Sequence, residues 1–478
     1  MIHRELLVGG HLIGGVCDQA IGKEQVYSPY HGKLVGTVAE GGWPEMDAAL
    51  DAANMAFKTW RHSAARQRQD LLRLISKGVR ERFEELVDLL IEEVGKPRIF
   101  AEGEVNRLAL TFDLAADYCT APQGHTLPVD YDPRGDGYRA EVRRVPIGVV
   151  FCVVPYNWPL NLAAHKIAPA LACGCTLVVK APVIGALTTL TLAQIIKEAG
   201  CPDGVLNVLH CANDIAQKAI EDNRTTMLSF TGSGKVGWML KGLVPTKPVT
   251  LELGGDAFAV VFPDADLDYV VSKIVPGGYG YAGQVCISVQ HVLCHAQVYD
   301  AFRAKLIAAT DACPTGDPAL KETVCGPLIN DDHAEKVMAM VASAEEAGAS
   351  VIAGGNRVGR VVHPTLVENV PYSTPLGHEE VFGPVMTLTS FDSTKEAIGR
   401  VNQSVFGIQC GVFTYDIRIA EQFAREAETG SVIIGDSPSL RFDSMPYGGD
   451  KQSGTGREGI ASAVQSMTVE KTVVTRTV

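Results

Sequence analysis

The chain has 478 residues, enough for two or three domains and for a core that needs no disulfide or metal to staple it. Hydrophobic residues make up 46% and charged residues 20%, the proportions of a soluble globular protein rather than a disordered or membrane-embedded one. Acidic side chains outnumber basic ones 55 to 42, a net charge of −13 with no basic stripe, which excludes a nucleic-acid partner held by phosphate neutralisation and reads as ordinary solubility.

The opening MIHRELLVGGHLIGG lacks the charged-then-apolar order of a secretory signal, and no run of about 18 uncharged apolar residues is present to span a membrane. After Pro44, the apolar spacing of Met46, Leu50, Ala53, Phe57 and Trp60 predicts a helix. Leu72, Ile75, Val79, Phe83, Leu86 and Leu90 predict a second, closed by Gly95 and Pro97. YRAEVRRVPIG (138–148) alternates as a strand. Next come short apolar strands separated by helical spans: VVFCVV (149–154), a helix over 163–172, TLVVK (176–180), a helix over 188–199, VLNVL (205–209), LSFTG (228–232) and VTLEL (249–253). That alternation predicts parallel βαβ units with a ligand beyond the C-terminal strand ends. After Asp264 a second alternating block has strands at 291–295, 350–354, 386–390, 409–413 and 431–435. The tail MTVEKTVVTRTV alternates again, and with 138–148 it suggests an arm that pairs with another subunit. Twelve cysteines are scattered with no CxxC pair, and Cys173 and Cys175, two apart, make poor zinc geometry. The expectation is reduced thiols in the cytoplasm and no metal.

Four stretches carry chemistry. FTGSGKVG (230–237) follows a strand and opens a helix, where glycines and the helix N-terminus suit a phosphate, or merely a tight turn. VPYNWPL (154–160) places Asn157 after a strand, as a turn former or as an amide aimed at a developing oxyanion. LELGG (251–255) puts Glu252 on a buried strand, where burial would raise its pKa toward that of a general base. GGYGYAGQVCIS (277–288) sets Cys286 at the end of a glycine-rich run, where a structural cysteine would have little to pack against. The other eleven cysteines read as small core residues.

Together with VVKAP (178–182), EEVFGPV (379–385) and MPYGGDKQSGTGREG (445–459), these motifs resemble the aldehyde dehydrogenase superfamily over nearly the whole chain. The resemblance implies an α/β fold of two domains, a Rossmann-like cofactor domain over 1–129 and 146–252 and an α/β catalytic domain over 253–446. A small β oligomerisation arm, from 130–145 and 460–478, completes it as a homodimer or homotetramer. It implies that Cys286 attacks an aldehyde carbonyl, that Asn157 and the Cys286 backbone N–H hold the oxyanion, and that Glu252 activates the water that hydrolyses the thioester. Lys166 joins this catalytic set. NAD or NADP would be the cofactor. Lys180 and Glu380 match ribose positions, Gly232, Ser233 and Gly237 the pyrophosphate loop, and Phe382 a place beside the nicotinamide ribose. The same resemblance extends the cofactor site to Val153, Val154, Pro155, Tyr156, Pro182, Val183, Asn213, Phe230, Thr231, Val236, Leu253 and Gly254.

Many NAD-using members carry a glutamate where this chain has Val183. Its loss removes repulsion against a 2′-phosphate, and Lys235 adds a nearby positive charge, so NADP is expected to be tolerated or preferred. By resemblance the substrate pocket holds Trp158, Leu162, His165, Val285, Ile287, Ser288 and Arg441. His165 stands where members that bind carboxylates often carry an arginine. Arg441 in the pocket would favour an anionic or hydroxylated aldehyde such as lactaldehyde, glyceraldehyde 3-phosphate, phosphonoacetaldehyde or succinate semialdehyde. The other reading puts Arg441 in solvent, paired with Asp443. Two alternative functions share the fold. A CoA-acylating dehydrogenase would not need Glu252 as a water-activating base, and a non-catalytic protein would not need Cys286, Glu252 and Asn157 together. A cysteine hydrolase would need a histidine oriented to Cys286, and no hydrolase motif surrounds it.

Overall fold

Five parallel strands form the centre of the first sheet in the order Val249–Glu252, Thr225–Thr231, Val149–Val153, Thr176–Lys180, Leu206–Leu209. This computed structural model describes residues 7–18, 22–121 and 124–477, so the first six residues of the opening lie outside the described residues. Antiparallel strands close both edges: Gly454–Thr455 beside Val249–Glu252, and the His11–Ile13 and Val16–Asp18 pair beside Leu206–Leu209. The strands are apolar throughout because both faces are covered. Val150 and Cys152 face one core, packed by helices Ala65–Glu81, Phe83–Val94, Arg98–Tyr118, Asn161–Cys173 and Ala186–Glu198. Val149 and Phe151 face the other, packed by helices Trp43–Trp60, Asn213–Glu221 and Gly234–Leu243.

The second sheet runs Ser350–Ala353, Thr365–Glu368, Val385–Phe391, His291–His295, Phe258–Val261, Gln409–Phe413, Ser431–Ile434. All its pairings are parallel except that of Ser350–Ala353, which meets Thr365–Glu368 antiparallel at the edge. The architecture is the α/β one expected, with two large sheets and three small β elements among the described residues. Among the described residues no helix is long and apolar enough to cross a membrane.

Several local expectations differ. The helix expected over 72–90 is two, broken at Arg82, whose backbone leaves the helical region (φ −108°, ψ 26°) while Glu84 and Glu85 begin the next helix beside its dipole. Strand Tyr138–Pro146 pairs with the tail strand Thr468–Arg476 within the same chain, antiparallel from Thr468↔Pro146 to Arg476↔Tyr138, and Gly124–Leu127 adds a third strand. The start of the expected arm segment, by contrast, is helix Ile460–Ser466, whose Ile460 and Val464 are buried in the first core.

Candidate active site

The first sheet sets the site's cofactor side. Val153 opposes both Phe230 and Lys180, and Thr231 opposes Glu252, so these residues form one row along the C-terminal strand edge. Strand order reverses between Val149–Val153 and Thr225–Thr231, and open α/β sheets bind ligands at such a reversal. Val153, buried Val154, Pro155 and Tyr156 leave one side of it; Phe230, Thr231, Gly232 and Ser233 leave the other. Ser233 is the N-cap of helix Gly234–Leu243 and makes no side-chain cap bond, which leaves first-turn N–H groups for an anion. Gly237 lets that helix lie against the sheet, near Leu253 and Phe230. Pro182 is buried, whereas Val183, Asn213 and Val236 are exposed. Among the described residues the buried Thr231 hydroxyl has no partner and Lys180 has no ion pair; burial lowers the Lys180 pKa. An uncapped helix start, an unpaired buried ammonium and an unused hydroxyl fit a dinucleotide.

Glu380 reaches in from the second sheet. Its Oε1 accepts from the Gly255 N–H at 3.0 Å, and burial pushes the carboxyl up to about 7. A Cβ on Gly254 would lie 2.2 Å from Glu380 Oε2, so a side chain there would displace the Glu380 carboxylate. Phe382, at φ 54°, sets its ring edge-on to Tyr156 at 6.3 Å.

Cys286 follows three consecutive residues in the left-handed region, Tyr281, Ala282 and Gly283, at φ 53°, 54° and 67°. For Tyr281 and Ala282 that conformation costs about 1–2 kcal/mol each. The surroundings impose it. Tyr281 is fully buried, its N–H donates to the Val324 carbonyl at 3.0 Å and its hydroxyl to the Val94 carbonyl at 3.1 Å. Buried Gln284 then fastens the loop. Its amide donates to the Tyr281 and Pro327 carbonyls, and its Oε1 accepts from the Ile329 N–H and the Tyr156 hydroxyl. Its backbone carbonyl accepts from Asn157 Nδ2 at 2.9 Å, which ties the Asn157 loop to the cysteine loop.

The Cys286 sulfur lies 2.8 Å from the Tyr447 hydroxyl. Half-buried Cys286 and Val285 pack against Ile287, Ile408 and Tyr447. Burial pushes the thiol up to about 11, against the pull of Tyr447 and Arg441. The expectation of a sulfur left free of packing is therefore corrected: Tyr447, brought from 161 positions away, lies against it. Ser288 uses its hydroxyl on the Gly277 and Gly278 carbonyls of its own loop.

Glu252 is buried, and neither carboxylate oxygen has a hydrogen-bond partner among the described residues. Burial, with Glu458 nearby, raises its pKa well above the ordinary value, while Arg441, Lys166 and Arg457 oppose the rise. Lys166 Nζ donates to Ser229 Oγ at 3.1 Å and Glu458 Oε1 at 2.9 Å. Arg441 Nη2 lies 3.4 Å from Glu458 Oε2, and its guanidinium carbon sits 3.7 Å from the Tyr447 ring centre. With its side chain 6% exposed, Arg441 does not point to solvent. Nor does it pair with Asp443, whose Oδ1 instead accepts from Arg107 at 2.7 Å and Asn161 at 3.1 Å and lies 2.9 Å from His165 Nε2. His165, expected in the pocket, is fully buried in that cluster, and burial, then Arg441, lowers its pKa.

Leu162 is buried and Trp158 half-buried, with the Lys96 ammonium 3.8 Å from the Trp158 ring centre. Lys96 forms a fully buried ion pair with Glu104, and burial lowers its pKa to about 8. Glu104 Oε1 accepts from the Leu160 and Asn161 N–H groups at 2.9 and 3.0 Å, which fixes the loop that carries Asn157. Sequence reasoning missed Tyr447, Gln284, Glu104 and Glu458 as site residues. Tyr447, Glu458 and Gln284 lie inside motifs already singled out, whereas nothing local marks Glu104.

The model of the aldehyde dehydrogenase family matches residues 17–473. The chain is 35% identical over 466 residues to a 3-sulfolactaldehyde dehydrogenase of Priestia aryabhattai, covering 97% of each chain. It is 34% identical over 458 residues to a lactaldehyde dehydrogenase of Methanococcus aeolicus, covering 95% of this chain and 97% of that one. Among solved structures it is similar to aldehyde dehydrogenase 21 of Physcomitrella patens in complex with the reaction product succinate, with a TM-score of 0.96, 35% identity and 99% of both chains covered. It is also similar to the NADP-dependent glyceraldehyde-3-phosphate dehydrogenase of Bacillus halodurans complexed with NADP, with a TM-score of 0.95, 32% identity and coverage of 99% of this chain and 100% of that one.

Proposed function

The chain belongs to the aldehyde dehydrogenase family, and from that membership we propose that it converts a small anionic or hydroxylated aldehyde to the carboxylic acid through a cysteine-bound acyl intermediate. It is an NAD(P)-dependent oxidoreductase. The observation that carries the hydrolytic reading is Glu252, a buried carboxylate whose two oxygens have no partner among the described residues. A structural carboxylate would be bonded; a general base must keep its oxygens for water.

The Cys286 sulfur, once deprotonated, attacks the aldehyde carbon. The C–S bond forms, the carbonyl oxygen becomes an oxyanion, and Asn157 Nδ2 and the Cys286 N–H donate to it. Bound nicotinamide supplies the hydride acceptor that turns this adduct into a thioester. Glu252 then takes a proton from water as the water oxygen attacks the thioester carbon. The C–S bond breaks, and the acid leaves with the sulfur again available. Lys180, Thr231 and the start of helix Gly234–Leu243 would hold the ribose and phosphates. With Val183 in place of a carboxylate, NADP is accommodated. Arg441, buried and with its Nε unpartnered among the described residues, favours an anion or hydroxyl on the substrate. The relatives named for sulfolactaldehyde and lactaldehyde point the same way. The three-stranded arm would complete a partner's sheet in a homodimer or homotetramer, and free thiols at the eleven cysteines from Cys119 to Cys410 suit the cytoplasm.

The test is NAD(P)H formation over a panel of lactaldehyde, succinate semialdehyde, glyceraldehyde 3-phosphate and propanal, each with NAD and NADP and with or without CoA. Anionic and hydroxylated aldehydes should lead in kcat/KM, with free acid as product. Propanal leading would remove the substrate class; a CoA thioester as product would remove the hydrolytic reading.

A further inference from the structure

The Tyr447 hydroxyl is buried, and the Cys286 sulfur, at 2.8 Å, is its only hydrogen-bond partner among the described residues. The phenol is fixed in place. Its backbone exchanges both hydrogen bonds with Glu458, and the Arg441 guanidinium covers its ring face at 3.7 Å. Arg441 is in turn anchored on Glu458. A phenylalanine ring would fill the same space beneath Arg441, so packing alone does not explain the hydroxyl.

We propose that Tyr447 is a further catalytic residue, whose hydroxyl donates a hydrogen bond to the Cys286 sulfur and, backed by the Arg441 charge, favours the thiolate. This rests on the reading of Cys286 as nucleophile. A thiolate has no proton to give, so in that state the phenol must be the donor. Burial raises the phenol's own pKa well above its ordinary value, so it keeps its proton while the sulfur loses one. A hydrogen bond to an ionised acceptor is about twice as strong as one between neutral groups, so the contact stabilises thiolate over thiol. The charged and titratable groups facing the sulfur are Tyr447, Arg441, Glu380 and Glu252. The two carboxyls disfavour the thiolate, which leaves Tyr447 and Arg441 as the groups that offset burial. A cation over the ring also polarises the phenol, making its O–H the stronger donor.

The experiment follows alkylation of Cys286 by iodoacetamide against pH, read by mass spectrometry of the Cys286 peptide in the folded full-length chain. It compares wild type with Tyr447→Phe and Arg441→Met. Loss of the hydroxyl should raise the apparent pKa by about one unit, so alkylation at neutral pH falls about tenfold while the high-pH plateau is retained. Arg441→Met should shift the curve in the same direction by about threefold. Superposition of the Tyr447→Phe curve on wild type would overturn the proposal. If that variant does not fold, an unshifted Arg441→Met curve would do so. The readout needs no aldehyde turnover: a wild type that oxidises no aldehyde would remove the functional reading and leave the sulfur titration to be judged on its own.

Discussion

Glu104→Gln tests how the Asn157 loop is held. Glu104 does two things at once: one oxygen pairs with the fully buried Lys96, and the other accepts the Leu160 and Asn161 N–H groups. Glutamine keeps an acceptor for the backbone but leaves a buried ammonium without its counter-charge, a change that costs about 3–5 kcal/mol. An unfolding entropy of about 2.1 cal/mol/K per residue gives about 1 kcal/mol/K for 478 residues, so the first melting transition should drop by about 3–5 °C. The sign with pH follows from Lys96. Its folded-state pKa is already lowered to about 8 and falls further without Glu104, while the unfolded chain still binds the proton. The variant's deficit therefore grows as pH falls, by up to about 1.4 kcal/mol per unit, and shrinks at alkaline pH. The double variant Lys96→Met with Glu104→Gln should recover most of the loss, because no buried charge is left unpaired. Scanning calorimetry across pH measures both. An unchanged melting temperature for the single variant, or no recovery in the double, would refute the reasoning.

Other outcomes are expected at the centre itself. Asn157→Ala should lower kcat by about 100–1000-fold with a much smaller change in KM, as steady-state kinetics would show. Glu252→Gln should lower hydrolytic turnover by about 100-fold or more. Because the Glu252 pKa is raised, its base form grows with pH, so wild-type turnover should climb toward alkaline pH and the variant should lose that dependence. Val183→Glu should reduce kcat/KM with NADP relative to NAD by about tenfold or more, since a carboxylate would then face the 2′-phosphate. Arg441→Leu should raise KM for anionic aldehydes far more than for propanal, and equal effects would separate Arg441 from substrate recognition.

Strands such as Val149–Val153 and Thr176–Lys180 were legible because burial on both faces leaves an unbroken apolar run. Helix Arg98–Tyr118 was not, because its apolar period is blurred by charge: Glu104 is buried there against Lys96 and the Leu160 and Asn161 N–H groups, partners that no local pattern shows. Strand Thr365–Glu368 is four residues long and ends on a glutamate bound by Arg303 and Tyr299, so it lacks the length and apolar finish of a readable strand. At the site, Cys286, Glu252 and Asn157 stand in distinctive motifs. The partners that set their chemistry come from distant segments: Tyr447 reaches the sulfur, Gln284 receives Asn157, and Asp443 turns to His165 and Arg107 instead of its neighbour Arg441. A pattern along the chain records which side chain is present, not which way it turns.

The left-handed run Tyr281–Ala282–Gly283 orders the events of heat inactivation. Residues 281 and 282 hold an unfavourable backbone only while distant carbonyls, at Val94 and Val324, stay in register. A small loosening of those supports lets the segment relax to ordinary geometry and carries the sulfur away from its partners, long before either sheet melts. Activity should therefore disappear on warming several degrees below the loss of secondary structure, and return on cooling as long as the sheets have not come apart.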